Sequence, residues 1–173
     1  MDLKDKIRNI QDFPKKGIVF RDITTLIQDP EVFQYIVDNF KNEFSNSEID
    51  VIVGVESRGF IFGAALAYAM GIPFTMVRKP GKLPSSIVYE EYELEYGTDR
   101  LEVHDDAVKE GDKVLIVDDL LATGGTSRAT ANLIEKIGGE LVAFAFVIEL
   151  SFLNGREKLK DYKIYSLVDY KSD

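Results

Sequence analysis

Val114-Leu115-Ile116-Val117-Asp118-Asp119-Leu120-Leu121-Ala122-Thr123-Gly124-Gly125-Thr126 runs from an apolar stretch through two adjacent carboxylates into a series of small residues. The apolar stretch reads as a strand buried on both faces. Residues 127–137 then show helical character and stop at Gly138-Gly139. Strand, small-residue turn and helix opening together form the unit of an open parallel sheet, where ligands bind beyond the carboxyl ends of strands. Two ionised carboxylates are unfavourable at that place unless something binds them. They only accept hydrogen bonds, so the candidates are Mg2+ or sugar hydroxyls. The small residues at 122–126 let backbone N–H groups approach a phosphate, and the helix N-terminus behind them adds partial positive charge. Carboxylates followed by a phosphate cradle would span a ribose 5-phosphate. A tight turn whose acids are solvated caps is the plain alternative for this segment taken alone. The Gly-x-x-x-x-Gly-Lys-Ser/Thr loop of kinases and GTPases does not occur.

The same alternation continues on both sides. Residues 30–44 have helical spacing through Val32, Phe33, Ile36, Val37, Phe40 and Phe44, with Asp29 as N-cap and Pro30 at the first helical position. Val51-Ile52-Val53-Gly54-Val55 is a second buried strand, followed by a helix to Met70 with Gly71 as its stop. Strands are expected at 73–77, 142–148 and 164–168. The fold class is therefore α/β: a central, mostly parallel sheet with right-handed crossovers, flanked by helices. Residues 80–106 depart from it. Val88, Tyr92, Leu94 and Tyr96 alternate with Glu91, Glu93 and Glu95, Tyr96-Gly97-Thr98-Asp99 reads as a turn, and Leu101 and Val103 suggest a returning strand. Such an inserted hairpin is often a lid or a partner contact.

A chain of 173 residues with 45% hydrophobic residues fits one domain, 1–173, with a substantial core. The absence of cysteine excludes disulfides and thiolate metal sites. A single histidine, His104, rules out a His-based metal cluster or a Ser-His-Asp triad within one chain; His104 itself is assigned no role. The net charge of −9 argues against general nucleic-acid binding but not against a small anion held by backbone N–H groups and local cations. Residues 1–6 lack a signal-peptide pattern, and the apolar stretch 60–74 is broken by Gly63, Gly71 and Pro73. The expectation is a soluble, cytoplasmic protein without a membrane partner.

The 114–126 segment resembles the phosphoribosyl pyrophosphate (PRPP) signature of type I phosphoribosyltransferases, in the form found in adenine phosphoribosyltransferases. The resemblance extends over nearly the whole chain. It includes Pro14-Lys15-Lys16-Gly17-Ile18-Val19-Phe20-Arg21-Asp22-Ile23, Glu56-Ser57-Arg58-Gly59-Phe60, Arg78-Lys79-Pro80-Gly81-Lys82-Leu83-Pro84, Leu94-Glu95-Tyr96-Gly97 and Gly155-Arg156-Glu157-Lys158-Leu159. The resemblance implies transfer of the phosphoribosyl group from PRPP to adenine, giving AMP and pyrophosphate, with Mg2+ as cofactor and a homodimer as the working form. It implies that Asp118 and Asp119 hold the ribose, partly through Mg2+. Ala122, Thr123, Gly124, Gly125 and Thr126 would cradle the 5-phosphate, and Ser57, Arg58, Lys79 and Lys82 would meet the pyrophosphate. Val19, Phe20 and Arg21, in an N-terminal segment 1–29, would form the adenine site. Arg58 and Glu95 join Asp118 and Asp119 as catalytic candidates, Glu95 for proton handling at the purine. On residue patterns alone Phe20 is equally a core residue, Lys79 and Lys82 can be loop charges, and Glu95 can belong to a solvated acidic face. A transferase for hypoxanthine, guanine or xanthine, or a PRPP-binding regulator, are the alternative readings of the whole.

Overall fold

The computed structural model describes residues 1–94 and 96–172. Its elements, in chain order, are β1 (Arg8–Ile10), β2 (Phe20–Asp22), α1 (Thr24–Gln28), α2 (Pro30–Glu43), β3 (Val51–Val55), α3 (Gly59–Met70), β4 (Phe74–Val77), β5 (Ile87–Glu93), β6 (Thr98–His104), β7 (Lys113–Leu121), α4 (Gly125–Lys136), β8 (Glu140–Leu150) and β9 (Lys163–Tyr170). Among the described residues β3, β4, β7, β8 and β9 form one sheet in the order β4-β3-β7-β8-β9, and every neighbouring pair is parallel. β1–β2 and β5–β6 are separate antiparallel pairs.

Side-chain alternation explains the uninterrupted apolar runs. Val53, Val55, Ile116, Phe144 and Phe146 cluster with Ala129 and Leu133 of α4 and with Leu101 and Val103 of the hairpin. Ile52, Leu115, Val117, Ala145 and Val147 cluster instead with Ile36 and Phe40 of α2 and Phe62 and Leu66 of α3. The apolar residues of the central strands thus alternate between two cores, one on each face of the sheet. Asp29 caps α2 by accepting from the Glu31 and Val32 N–H groups, and Gly71 ends α3 in the left-handed region at φ 69°.

Several elements differ from the sequence expectation: Thr98 and Asp99, expected in the hairpin turn, open β6 and pair with Glu93 and Tyr92. β7 does not stop at Val117 but pairs with β8 through Leu121, so Asp118 and Asp119 lie within the strand rather than after it. The partner strand β8 reaches Leu150 and carries the pairing on. β1, β2 and α1 precede the first expected element. The hairpin, finally, is rooted: Leu101 and Val103 are fully buried, and each such side chain contributes about 1.5–3 kcal/mol of burial.

Candidate active site

The sheet order reverses between β3 and β7. The chain leaves β3 toward β4 on one side, while β7, β8 and β9 extend on the other. At such a reversal the connections diverge and leave a crevice beyond the strand ends. A cleft of about 350 Å³ lies there, lined by Glu56, Ser57, Arg58, Lys79, Asp118, Asp119 and residues from Ala122 to Ser127. The fold therefore brings together most of the residues expected from the sequence. Val19, Phe20, Arg21 and Lys82 lie outside the cleft lining, Lys82 exposed on the loop after β4. Glu95 lies outside the described residues.

Each wall has a distinct charge. Arg58, at the start of α3, donates through Nε to Asp119 Oδ2 at 2.5 Å. Asp119 is buried, whereas half of the Arg58 side chain faces solvent. The Asp119 N–H in turn donates to Asp118 Oδ1 at 2.8 Å. Burial pushes the Asp118 carboxyl well above the usual carboxylate range, and the adjacent Asp119 charge adds to the shift. α3 approaches this pair closely. A Cβ on Gly59 would lie 2.8 Å from Asp118 Oδ1 and from the Val117 carbonyl oxygen. Only glycine fits there.

The loop that follows is shaped by a long-range contact. Gly124, the residue before α4, has φ 81°, and a Cβ on it would lie 2.5 Å from the Gly155 carbonyl oxygen. A Cβ on Gly155 would in turn collide with the Ala122 carbonyl oxygen. The two glycines let the 155–159 turn support the loop from behind. That turn is itself fixed: Arg156 pairs with buried Glu149 at 2.6 and 2.7 Å, and Ser166 donates to the same carboxylate at 2.7 Å. Behind the loop, the first turn of α4 leaves amide N–H groups without helical partners, a ready anion site.

The opposite wall contains groups that the sequence reading assigned no role. Glu56 accepts the Lys79 N–H at 2.8 Å and Arg78 Nε at 3.3 Å, and so ties the end of β4 to the end of β3. Lys79 Nζ pairs with Asp99 and lies 3.3 Å from the Tyr92 hydroxyl. Tyr92 extends from the hairpin to the Thr126 hydroxyl, 3.3 Å away. The N-terminal segment reaches the cleft wall where Phe20 approaches Arg58. Phe20 is half-buried, packs edge-on against Phe13 at 5.2 Å and lies 5.8 Å from the Arg58 guanidinium. The Arg21 side chain turns away from the cleft: it stacks on Tyr170 at 4.1 Å and donates to Asn9 at 2.8 Å.

Comparison with known proteins agrees with this geometry. Residues 23–172 match the phosphoribosyl transferase domain family. The chain is 61% identical to an adenine phosphoribosyltransferase of Clostridium perfringens, over 98% of this chain and 99% of the relative. This chain belongs to the adenine phosphoribosyltransferase family. Solved structures of the family superpose along its length. That of Thermoanaerobacter pseudethanolicus is 52% identical, with a TM-score of 0.95, covering 97% of this chain and 98% of the other. The Saccharomyces cerevisiae enzyme, solved with an imino-altritol bisphosphate and adenine, is 42% identical, with a TM-score of 0.91, covering 95% and 96%. The type I phosphoribosyltransferase fold expected from the sequence is the fold observed.

Proposed function

We propose that the cleft transfers the 5-phosphoribosyl group of PRPP to adenine, giving AMP and pyrophosphate. The observation that carries this reading is the order of charge along one cleft. Lys79 follows β4 and Arg58 follows β3, the Asp118–Asp119 pair lies on the neighbouring strand β7, and the glycine loop follows it at the α4 N-terminus. Pyrophosphate, ribose and 5-phosphate follow the same order along PRPP. The bond from the anomeric carbon to pyrophosphate breaks with its electrons leaving on oxygen, and purine nitrogen forms the new bond after losing its proton. Such a centre passes through an oxocarbenium-like state. Arg58 and Lys79 stabilise the charge gathering on the leaving group, and the loop fixes the far end so that the ribose cannot turn. Asp118 and Asp119 accept from the ribose hydroxyls and place negative charge beneath the cationic centre. Phe20, half-buried and near Arg58, supplies a platform for the purine ring. The test is direct: PRPP, Mg2+ and adenine should yield AMP and pyrophosphate in equal amounts, and absence of AMP would sink the proposal.

The residues fit a divalent cation. Two carboxylates facing one guanidinium leave local negative charge, while no cluster of three or more metal-ligating side chains occurs among the described residues. Asp118 and Asp119 would thus hold Mg2+ only in part, with PRPP supplying most of its ligands. Bound there, the ion would neutralise pyrophosphate. A substrate carrying so much charge does not cross a bilayer unaided, so the protein works in the cytoplasm. Among the described residues no helix is long and apolar enough to cross a membrane.

Glu95 would assist proton transfer at the purine, a role implied by the family match alone. Glu95→Gln should lower the single-turnover rate roughly 10-fold or more, within the range of one general acid–base group, with little change in PRPP affinity. An unchanged chemical step would return Glu95 to the solvated face.

The working form is a homodimer. α3 carries no charged residue; Phe62 and Leu66 face the core, while Ile61 and Tyr68 are exposed, Tyr68 at 92%. Met76, on the sheet-edge strand β4, is also exposed. A helix that is apolar on all sides needs cover on all sides, and a second copy supplies it. α3 begins at Arg58 and β4 ends beside Lys79, so the interface would brace the pyrophosphate wall. Light scattering should give twice the chain mass, and Tyr68→Glu should give monomers with raised KM for PRPP. A fully active wild-type monomer at micromolar concentration would contradict this.

A further inference from the structure

The cations of the pyrophosphate wall are already partnered in this structure. Arg58 is held by Asp119, and Lys79 is held by Asp99 and Tyr92. The first pair belongs to the ribose site. The second does not, because Asp99 lies on the hairpin strand β6 and is not among the residues lining the cleft. Its carboxylate takes the Lys79 ammonium and the Tyr92 hydroxyl proton, the latter at 3.0 Å. A phenol has one proton to give. With that proton on Asp99, Tyr92 can only accept, from Lys79 at 3.3 Å and from the Thr126 hydroxyl at 3.3 Å. One hairpin carboxylate thereby occupies two donors on opposite walls of the cleft, one assigned to pyrophosphate and one to 5-phosphate.

We infer that Asp99, acting with Tyr92, is an internal stand-in for the phosphates of PRPP: it holds Lys79 and Thr126 before substrate binds and must release Lys79 when pyrophosphate binds. The inference rests on the assignment of Lys79 to pyrophosphate. Asp99 is then a residue that sets how tightly the leaving group is held. Each turnover ends with pyrophosphate giving Lys79 back to a carboxylate already in place, which favours release. The hydrogen bond from Lys79 holds the Asp99 carboxyl below its ordinary range, so the competitor stays charged at neutral pH. Burial pulls the Lys79 ammonium down, but the bonds to Asp99 and Tyr92 outweigh it and leave the group raised. The pair is only partly buried, with 39% and 28% of the side chains exposed. The size of the effect is therefore that of a screened ion pair, not of a desolvated one.

The test is pyrophosphate affinity measured by calorimetry with Mg2+ present. Asp99→Asn keeps the shape and removes the charge. It should tighten pyrophosphate about 3- to 10-fold and lower KM for PRPP in the same sense, leaving KM for adenine unchanged. A residue that only supported the hairpin would weaken binding or leave it alone, and either result would overturn the inference. Lys79→Met should weaken pyrophosphate on its own. In that background Asp99→Asn should have no further effect, since the two act through one contact. Equal tightening in both backgrounds would mean a general charge effect and would also overturn it. If Lys79→Met leaves pyrophosphate affinity unchanged, the assignment of Lys79 itself fails, a result distinct from failure of the stand-in alone.

Discussion

Asp118→Asn should reduce kcat/KM for PRPP roughly 100-fold while leaving the melting temperature unchanged or higher. The two effects have one origin. Asp118 sits within β7 beside Asp119, its carboxyl raised by burial and by its neighbour's charge, with one guanidinium between them and solvent. Two like charges side by side in a buried strand oppose folding, so neutralising one relieves the protein. In the proposed reaction the same charge would accept from ribose hydroxyls and attract the cation that accompanies pyrophosphate. Hydrogen bonds to a charged group are typically worth ~1.5–3 kcal/mol, and 100-fold corresponds to about 2.7 kcal/mol. Removing the metal should act in the same direction: excess chelator abolishes activity and added Mg2+ restores it. Steady-state kinetics beside thermal unfolding would check both halves. Full activity in chelator, or a variant that simply melts early, would show that the acid pair is structural.

That strain is also why the acid pair was legible from sequence. Carboxylates are out of place beside Val114-Leu115-Ile116-Val117, and the misplaced residues point to the site. The buried strands were legible for a related reason: the apolar residues of β3, β7 and β8 alternate between the two cores, so 51–55, 114–117 and 141–148 read as unbroken apolar runs. What escaped was structure made of polar pairing. β1 is exposed along its length, and it is joined to β2 by register and by Arg8–Asp22 bonds of 2.5 and 2.8 Å. Nothing periodic marks such a pair. The reason for Gly155 escaped as well, because its reach to Ala122 and Gly124 spans about thirty residues of sequence and appears only after β8 and the following turn are placed. Tyr92 read as one more alternating hairpin residue. Its contact with Thr126 exists because the hairpin packs on α4, which no local pattern encodes.

Adenine should be used at least ~100-fold better by kcat/KM than hypoxanthine or guanine. Adenine offers a donor at its exocyclic amine and an acceptor at N1, whereas the 6-oxopurines offer an acceptor at O6 and a donor at N1. A backbone carbonyl next to a backbone N–H matches the first pattern and opposes the second. The Val19–Phe20–Arg21 segment can present such a pair, the Val19 carbonyl and the Arg21 amide, on either side of the Phe20 ring. The structure supports this assignment in two ways. Phe20 is half-buried, outside both cores, and 5.8 Å from the guanidinium of Arg58, which lines the cleft. The Arg21 side chain stacks on Tyr170 and donates to Asn9, so it is directed away from the cleft. A mismatched base leaves two buried polar groups facing like partners, at ~1–3 kcal/mol each, and two tenfold losses multiply to ~100. The loop gives an independent reason. The resemblance to type I phosphoribosyltransferases implies that those using 6-oxopurines carry an aspartate where Ala122 stands. Ala122 lines the cleft and can neither take nor give a proton, so that route is closed to a 6-oxopurine here. Rates with adenine, hypoxanthine, guanine and xanthine at saturating PRPP check the prediction. Comparable kcat/KM for adenine and hypoxanthine would remove the base site from the Val19–Arg21 segment and leave the selectivity of the cleft without a physical source.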